Sequence, residues 1–170
     1  MSKDKIITFL DESNKIESVY DQGSLKQAKK AWDYLIKKKK LTVKTILKTH
    51  AILAHNKLAP EETGAFRKRP VWIGGHEAKP WYVVPELMDS WIKKANMIFI
   101  LPKVGITQDI LEDHIAFEAI HPFIDSNGRI GRILLNWQRV KVELPILVIY
   151  EKEKFQNYYP LFNLDKDNIV

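Results

Sequence analysis

Residues 121–132 read His-Pro-Phe-Ile-Asp-Ser-Asn-Gly-Arg-Ile-Gly-Arg and run directly into an apolar helical stretch at 130–140. A histidine, a carboxylate, a glycine-softened loop and two arginines three positions apart therefore gather ahead of a helix. Gly128 and Gly131 let backbone approach a ligand closely, and Asn127 tolerates the left-handed conformation such a loop often needs. The first-turn N–H groups of the helix, with the positive end of its dipole, face back toward the loop and form an anion site. Arg129 and Arg132, at i and i+3, fall on one side of that turn and would clamp phosphate oxygens. Asp125 is placed to hold a divalent cation against those phosphates. His121 titrates near neutral pH and is suited to take a proton from a hydroxyl nucleophile. Each residue alone also fits turn chemistry or a helix cap; the complete string points to polyphosphate binding beside a base.

The rest of the chain narrows the setting. Its 170 residues, 45% hydrophobic, suffice for one domain, 1–170, with a real core. The absence of cysteine excludes disulfides and thiolate zinc sites, and a cytoplasmic location is expected. No apolar run is long enough to span a bilayer, so no membrane partner is expected; residues 97–102 read instead as the buried end of a helix. Lys+Arg exceeds Asp+Glu by 27 − 21 = 6, much of it between Lys26 and Lys48. Those lysines are not interleaved with aromatics, so a solvated helix face is the better reading and nucleic acid is not an expected partner.

Helical periodicity dominates. Helices are expected over residues 3–20 (with a break near Glu12-Ser13), from Ser24 as a cap, from Thr42 to before Pro60, over 86–100 behind Pro85, from Thr107 to Ile120, over 130–140, and over 151–162. Between Pro60 and Pro85, glycine and proline punctuate the chain. There, 71–73 and 81–84 read as two short strands around a turn containing Gly74-Gly75.

The segment at His121 resembles the signature of the Fic domain family, His-Pro-Phe-x-(Asp/Glu)-Gly-Asn-Gly-Arg-x-x-Arg. It departs at one fixed position, Ser126 standing for Gly, where a positive φ would strain serine by ~1 kcal/mol. The resemblance implies an all-α, Fic-type helical core with a single β-hairpin flap over 64–84, and transfer of AMP from ATP, with Mg²⁺, to a Ser, Thr or Tyr hydroxyl of a protein. It implies His121 as general base, Asp125 as Mg²⁺ ligand, and Asn127, Gly128, Arg129, Gly131 and Arg132 around the phosphates. Gly64-Ala-Phe-Arg67 followed by Val71, Trp72, Ile73 and Gly74 is similar to the family's flap, along which the target docks as an added strand. Tyr158 and Tyr159 match aromatic positions near the nucleotide.

Residues 13–17, Ser-Asn-Lys-Ile-Glu, resemble the inhibitory motif of autoinhibited members, in a helical region over 1–22. Ser13 and Glu17 would then form a brake, with Glu17 on Arg132 where the γ-phosphate belongs; Ser18 departs from the usual Gly/Asn. A homodimer would reinforce such a brake. Other readings use the same residues: removal of AMP with Glu17 orienting water, or a catalytically silent nucleotide-binding module. A metal hydrolase built on His114, Glu118 and His121 is a further alternative.

Overall fold

Residues 2–100 and 104–162 are described in this computed structural model. They contain six α-helices: α1 (Lys3–Ile16), α2 (Gln22–Leu35), α3 (Val43–Leu53), α4 (Val84–Met97), α5 (Ile106–Ile120) and α6 (Asn127–Lys141), with one hairpin, β1 (Trp72–Ile73) and β2 (His76–Glu77), between α3 and α4. The run behind the His121 loop becomes α6, and Ile130, Ile133, Leu134 and Trp137 on it are at most 1% exposed. A helix buried on nearly every face has to be wrapped. α1 and α5 pack on it, α4 lies against α5, and α2 pairs with α3. Phe9, Leu10, Trp32, Ile46, Met88, Trp91 and Phe117 close the core around it. Each such side chain contributes roughly 1.5–3 kcal/mol on burial, so α6 is the best-anchored element and the functional loop is built on its end.

Thr42 opens α3 as expected, in a reciprocal pair: its Oγ1 accepts the Thr45 N–H at 3.1 Å and the Thr45 hydroxyl oxygen accepts the Thr42 N–H at 2.8 Å. Pro85 sits in the first turn of α4. Elsewhere the boundaries move. Asp21 caps α2 by accepting the Ser24 N–H, so Ser24 lies inside the first turn and not at the cap position expected for it. Gly105, at φ +83°, precedes α5 in place of Thr107. α1 runs unbroken through Glu12-Ser13. α4 ends at Met97; of the next residues Ile98 is buried while Phe99 and Ile100 are exposed, and 101–103 lie outside the described residues. The expected final helix is instead a succession of 3₁₀ and π turns over Glu151–Glu153, Lys154–Tyr158 and Tyr159–Phe162. Pro160 has no N–H to continue an α-helix.

The hairpin is a second correction. Gly74 and Gly75 both take positive φ, +54° and +89°, so a two-residue turn reverses the chain at once and pairs Ile73 with His76 and Trp72 with Glu77. The return strand must therefore lie at 76–77, not at 81–84. Trp81–Val83 forms a 3₁₀ turn behind Pro80 and feeds Val84, fully buried, into α4.

α1 stops in a two-bond terminus. The Ser18 N–H donates to the Lys15 carbonyl at 2.8 Å and the Val19 N–H to the Asn14 carbonyl at 3.0 Å, with Ser18 at φ +58°. Ser18→Gly relieves a left-handed side-chain clash of ~1 kcal/mol and is expected to raise the melting temperature by ~2–4 °C. Ser126→Gly should be near neutral. Ser126 is also left-handed, at φ +70°, but its hydroxyl accepts a hydrogen bond from Arg129 that glycine would lose. Thermal melts of both variants check the contrast.

Candidate active site

His121 terminates α5 in the left-handed region, at φ +50°. Its Nδ1 stands 3.2 Å from the Glu118 carbonyl, which only accepts; Nδ1 therefore carries the proton and Nε2 is left with a lone pair. Burial holds the imidazole below its ordinary pKa, which favours the neutral, basic form. The loop behind it is tightly braced. The Asn127 side chain accepts the Phe123 N–H and donates to the Phe123 carbonyl, both at 2.9 Å, which ties its amide into the loop. His50 stacks on Phe123 at 3.9 Å between ring centroids, accepts the Gly64 N–H on Nδ1, and donates from Nε2 to the Asp125 carbonyl at 3.2 Å. Burial pushes His50 down to about 4 and keeps it neutral in that role. Nothing in the spacing around His50 signals this brace; it exists only once α3 meets the loop.

The N-terminus of α6 forms the cradle. Ser126 precedes it and makes no side-chain cap, because its hydroxyl serves Arg129, so first-turn N–H groups face the site. Arg129 is 4% exposed and its Nε, shielded from water, has no hydrogen-bond partner among the described residues. Arg132, 1% exposed, grips the end of α1: Nε donates to the Ser13 hydroxyl and Nη2 to the Ser13 carbonyl, each at 2.9 Å, and Nη2 to the Glu17 carboxylate at 2.7 Å. Glu17 also lies against Gly128, where an added Cβ would come within 2.3 Å of Oε1. The carboxylate thus stands directly in front of the helix N-terminus. Asp125 is exposed; Oδ1 accepts the Ser126 N–H at 2.6 Å and Oδ2 is 3.5 Å from Arg129. An orphaned buried guanidinium N–H, a cradle open only at glycine and one outward carboxylate fit a polyphosphate with a hard cation.

Behind Arg132 lies a second buried layer. The Tyr158 hydroxyl, on a 3% exposed residue, accepts from Arg132 Nη1 at 3.2 Å and faces His114 Nε2 at 2.9 Å. Tyr158 therefore backs the arginine; Tyr159, half-buried, lies beside it with ring centroids 5.7 Å apart. Glu118 packs where Gly131 has no side chain, an added Cβ meeting Oε1 at 2.0 Å, and that oxygen is sealed from water without a partner among the described residues. Burial, with Glu17 adding repulsion and Arg132 partly opposing, pushes the Glu118 carboxyl up to about 8. Such a raised group stabilises fully below its unfolded value near 4.5, and that stability is lost as pH rises through about 8. Glu118→Gln is expected to flatten the loss between pH 6.5 and 9 and to gain ~1–2 kcal/mol at pH 9, discounted because part of the side chain reaches the surface. Chemical denaturation across that range measures it; identical slopes in variant and wild type would mean an ordinary carboxylate. His50 and His114, pushed down to about 4 and about 3, act only on the acid side of pH 6.5.

The sequence model of the Fic/DOC family matches residues 40–138, from ahead of α3 to near the end of α6, and so takes in loop, cradle and flap. The chain belongs to the Fic/DOC family. Among curated proteins it is similar to a protein adenylyltransferase Fic of Drosophila willistoni, 30% identical over 129 residues, covering 74% of this chain and 25% of that protein. A protein of the same description from Drosophila grimshawi is 30% identical over 131 residues, covering 74% and 26%. The chain thus spans about a quarter of the length of these relatives. In fold it is similar to a Fic domain containing signaling protein from Bacteroides thetaiotaomicron, at TM-score 0.79 and 23% identity over 95% of this chain and 72% of that one. Fic-1 from C. elegans follows at TM-score 0.74 and 20% identity, over 95% and 56%.

In Fic/DOC terms the structure gathers His121, Asp125, Gly128, Arg129 and Arg132 around one end of α6, with Ser13 and Glu17 facing them from the end of α1, while Gly131 faces Glu118 of α5 instead. Asn127 shapes the loop and Tyr158 supports Arg132. Val71 and Ile73 are half-buried, whereas Trp72 and Gly74 are exposed on the hairpin. The hydrolase alternative gains nothing. His121 leaves the α5 face through its left-handed φ, His114 faces Tyr158, and no group of three His, Cys, Asp or Glu among the described residues could hold a metal. No helix among the described residues is long and apolar enough to cross a membrane.

Proposed function

We propose that this domain transfers AMP from ATP to a hydroxyl side chain of a protein target, and that Glu17 holds the reaction in check. The observation that carries the proposal is the pairing of a base with an anion cradle. His121 offers an unprotonated Nε2 beside a helix N-terminus that carries two buried arginines, Arg129 and Arg132. The target hydroxyl attacks the α-phosphorus as Nε2 takes its proton. The bond from the α-phosphorus to the bridging oxygen breaks, and pyrophosphate leaves with the charge that Arg129 and Arg132 neutralise. Asp125 would hold Mg²⁺, which supplies charge neutralisation on the phosphates when bound. The protein's part is positioning and electrostatic stabilisation in a shielded site. The target adds along the exposed flap edge at Trp72, through backbone bonds that read shape rather than sequence.

The test compares donors labelled at two positions. With Mg²⁺ and a cell lysate as target, the Glu17→Gly variant should label protein from α-³²P-ATP and not from γ-³²P-ATP. Label from the γ position alone would mean phosphotransfer. No label from either position, with intact ATP binding, would favour a silent nucleotide-binding module. Release of AMP from a pre-modified target by wild type would favour removal.

A further inference from the structure

Arg67 sits at the foot of the flap, is 2% exposed, and its whole side chain is committed to carbonyl oxygens. Nε donates to the His121 carbonyl at 2.8 Å, Nη2 to the Lys79 and Ile120 carbonyls, and Nη1 to the Arg69 carbonyl at 3.3 Å; its own backbone N–H donates to the Pro122 carbonyl at 2.9 Å. One guanidinium thus joins both legs of the hairpin to the end of α5. We propose that Arg67 is a positioning residue that locks the target-docking flap and the base His121 into one unit, an inference that rests on the proposed transfer reaction.

Three physical arguments support it. The last carbonyls of α5 have no intrahelical donor, and the negative end of the helix dipole favours a cation there. His121 stands at φ +50°, a conformation costing a side-chain-bearing residue roughly 1–2 kcal/mol, which persists only where the surroundings over-determine it. A buried guanidinium is expensive to desolvate, so a site needing only packing would use an apolar side chain; the planar fork is what serves several carbonyls at once. Phe66 adds a second link beside it, its ring 5.9 Å from that of Phe123.

The experiment places Arg67→Lys and Arg67→Met in the Glu17→Gly protein. Both are expected to bind ATP as the parent does, to lose roughly 10²-fold in kcat, and to show a raised KM for the protein target. The Arg67 charge lowers the His121 pKa. The His121 titration midpoint, read by nuclear magnetic resonance, should therefore rise in Arg67→Met and stay near the parent value in Arg67→Lys. A purely structural role would lower the melting temperature without that split. Exchange of the Ala78 amide, which bonds the Val71 carbonyl across the hairpin, should accelerate in both variants. Parental kcat and target KM in both variants would overturn the inference. If the Glu17→Gly parent itself transfers nothing, the transfer reading fails instead. Exchange still decides Arg67 in that case, through the lysine variant alone if the methionine variant does not fold, and unchanged Ala78 exchange would overturn its role.

Discussion

Glu17→Gly is expected to raise the initial rate of the proposed AMP transfer roughly 10²-fold over wild type at saturating Mg²⁺ and ATP, the scale on which a misplacement near 1 Å acts. Two contacts set the expectation. The Glu17 carboxylate takes a hydrogen bond from Arg132 Nη2 at 2.7 Å, and it fills the space over Gly128 that the proposed reading gives to phosphate oxygens. The ion pair alone is too weak to account for such a brake. The Glu17 side chain is 38% exposed, so solvent screening leaves the pair ~1 kcal/mol, less than a tenfold effect. The larger part is assigned to exclusion: on the proposed reading the carboxylate leaves ATP only a pose with its γ-phosphate displaced and its α-phosphorus off the line of attack. A second readout follows from the burial of Arg132. Without Glu17 its cation keeps Ser13 and Tyr158 but loses its salt-bridge partner, so the variant should melt lower without ligand and gain more from ATP than wild type. A rate within about twofold of wild type under identical conditions would remove the brake from the account.

His121→Ala, introduced into the Glu17→Gly protein, is expected to lower kcat by about 10²–10⁴-fold while ATP affinity stays at the parent value. The reasoning is geometric. The ring contributes nothing to the cradle, which is made by α6 and its arginines. Its Nδ1–H is committed to the Glu118 carbonyl, which fixes the ring and leaves Nε2 as the one basic atom. Because burial holds the imidazole below its ordinary value of 6.5, the neutral form survives to lower pH than in a free histidine. The acid limb of kcat/KM should therefore fall below pH 6.5 in the parent and be absent in the alanine variant. Loss of ATP binding together with kcat would make His121 part of the cradle instead.

Much of this was legible in the residues themselves. Motif spacing put a base, a carboxylate and two arginines at one helix N-terminus, because neighbours along a chain stay neighbours when a loop feeds a helix. Helical periods marked all six α-helices, and Thr42 and Pro85 carried local signals strong enough to place two starts. The left-handed φ of Ser126 was anticipated at the position where glycine is usual, since backbone sterics are a local property; the same φ sign at Ser18 was not. The second strand was misplaced because Trp81–Val84 has strand-like composition, while the two-glycine turn decides pairing by geometry.

What the sequence by itself determined is therefore local: helix faces, the loop, and the order of functional groups within it. The tertiary structure alone decided what those groups meet. His50, Arg67 and Tyr158 lie 71, 54 and 37 positions from His121 in the chain, and they become neighbours of the site only through packing. The tautomer of His121, the raised pKa of Glu118 and the grip of the buried Arg132 on Ser13 likewise depend on burial. Burial is a property of the assembled core, because desolvation and hydrogen-bond satisfaction come from residues that the chain brings together only on folding.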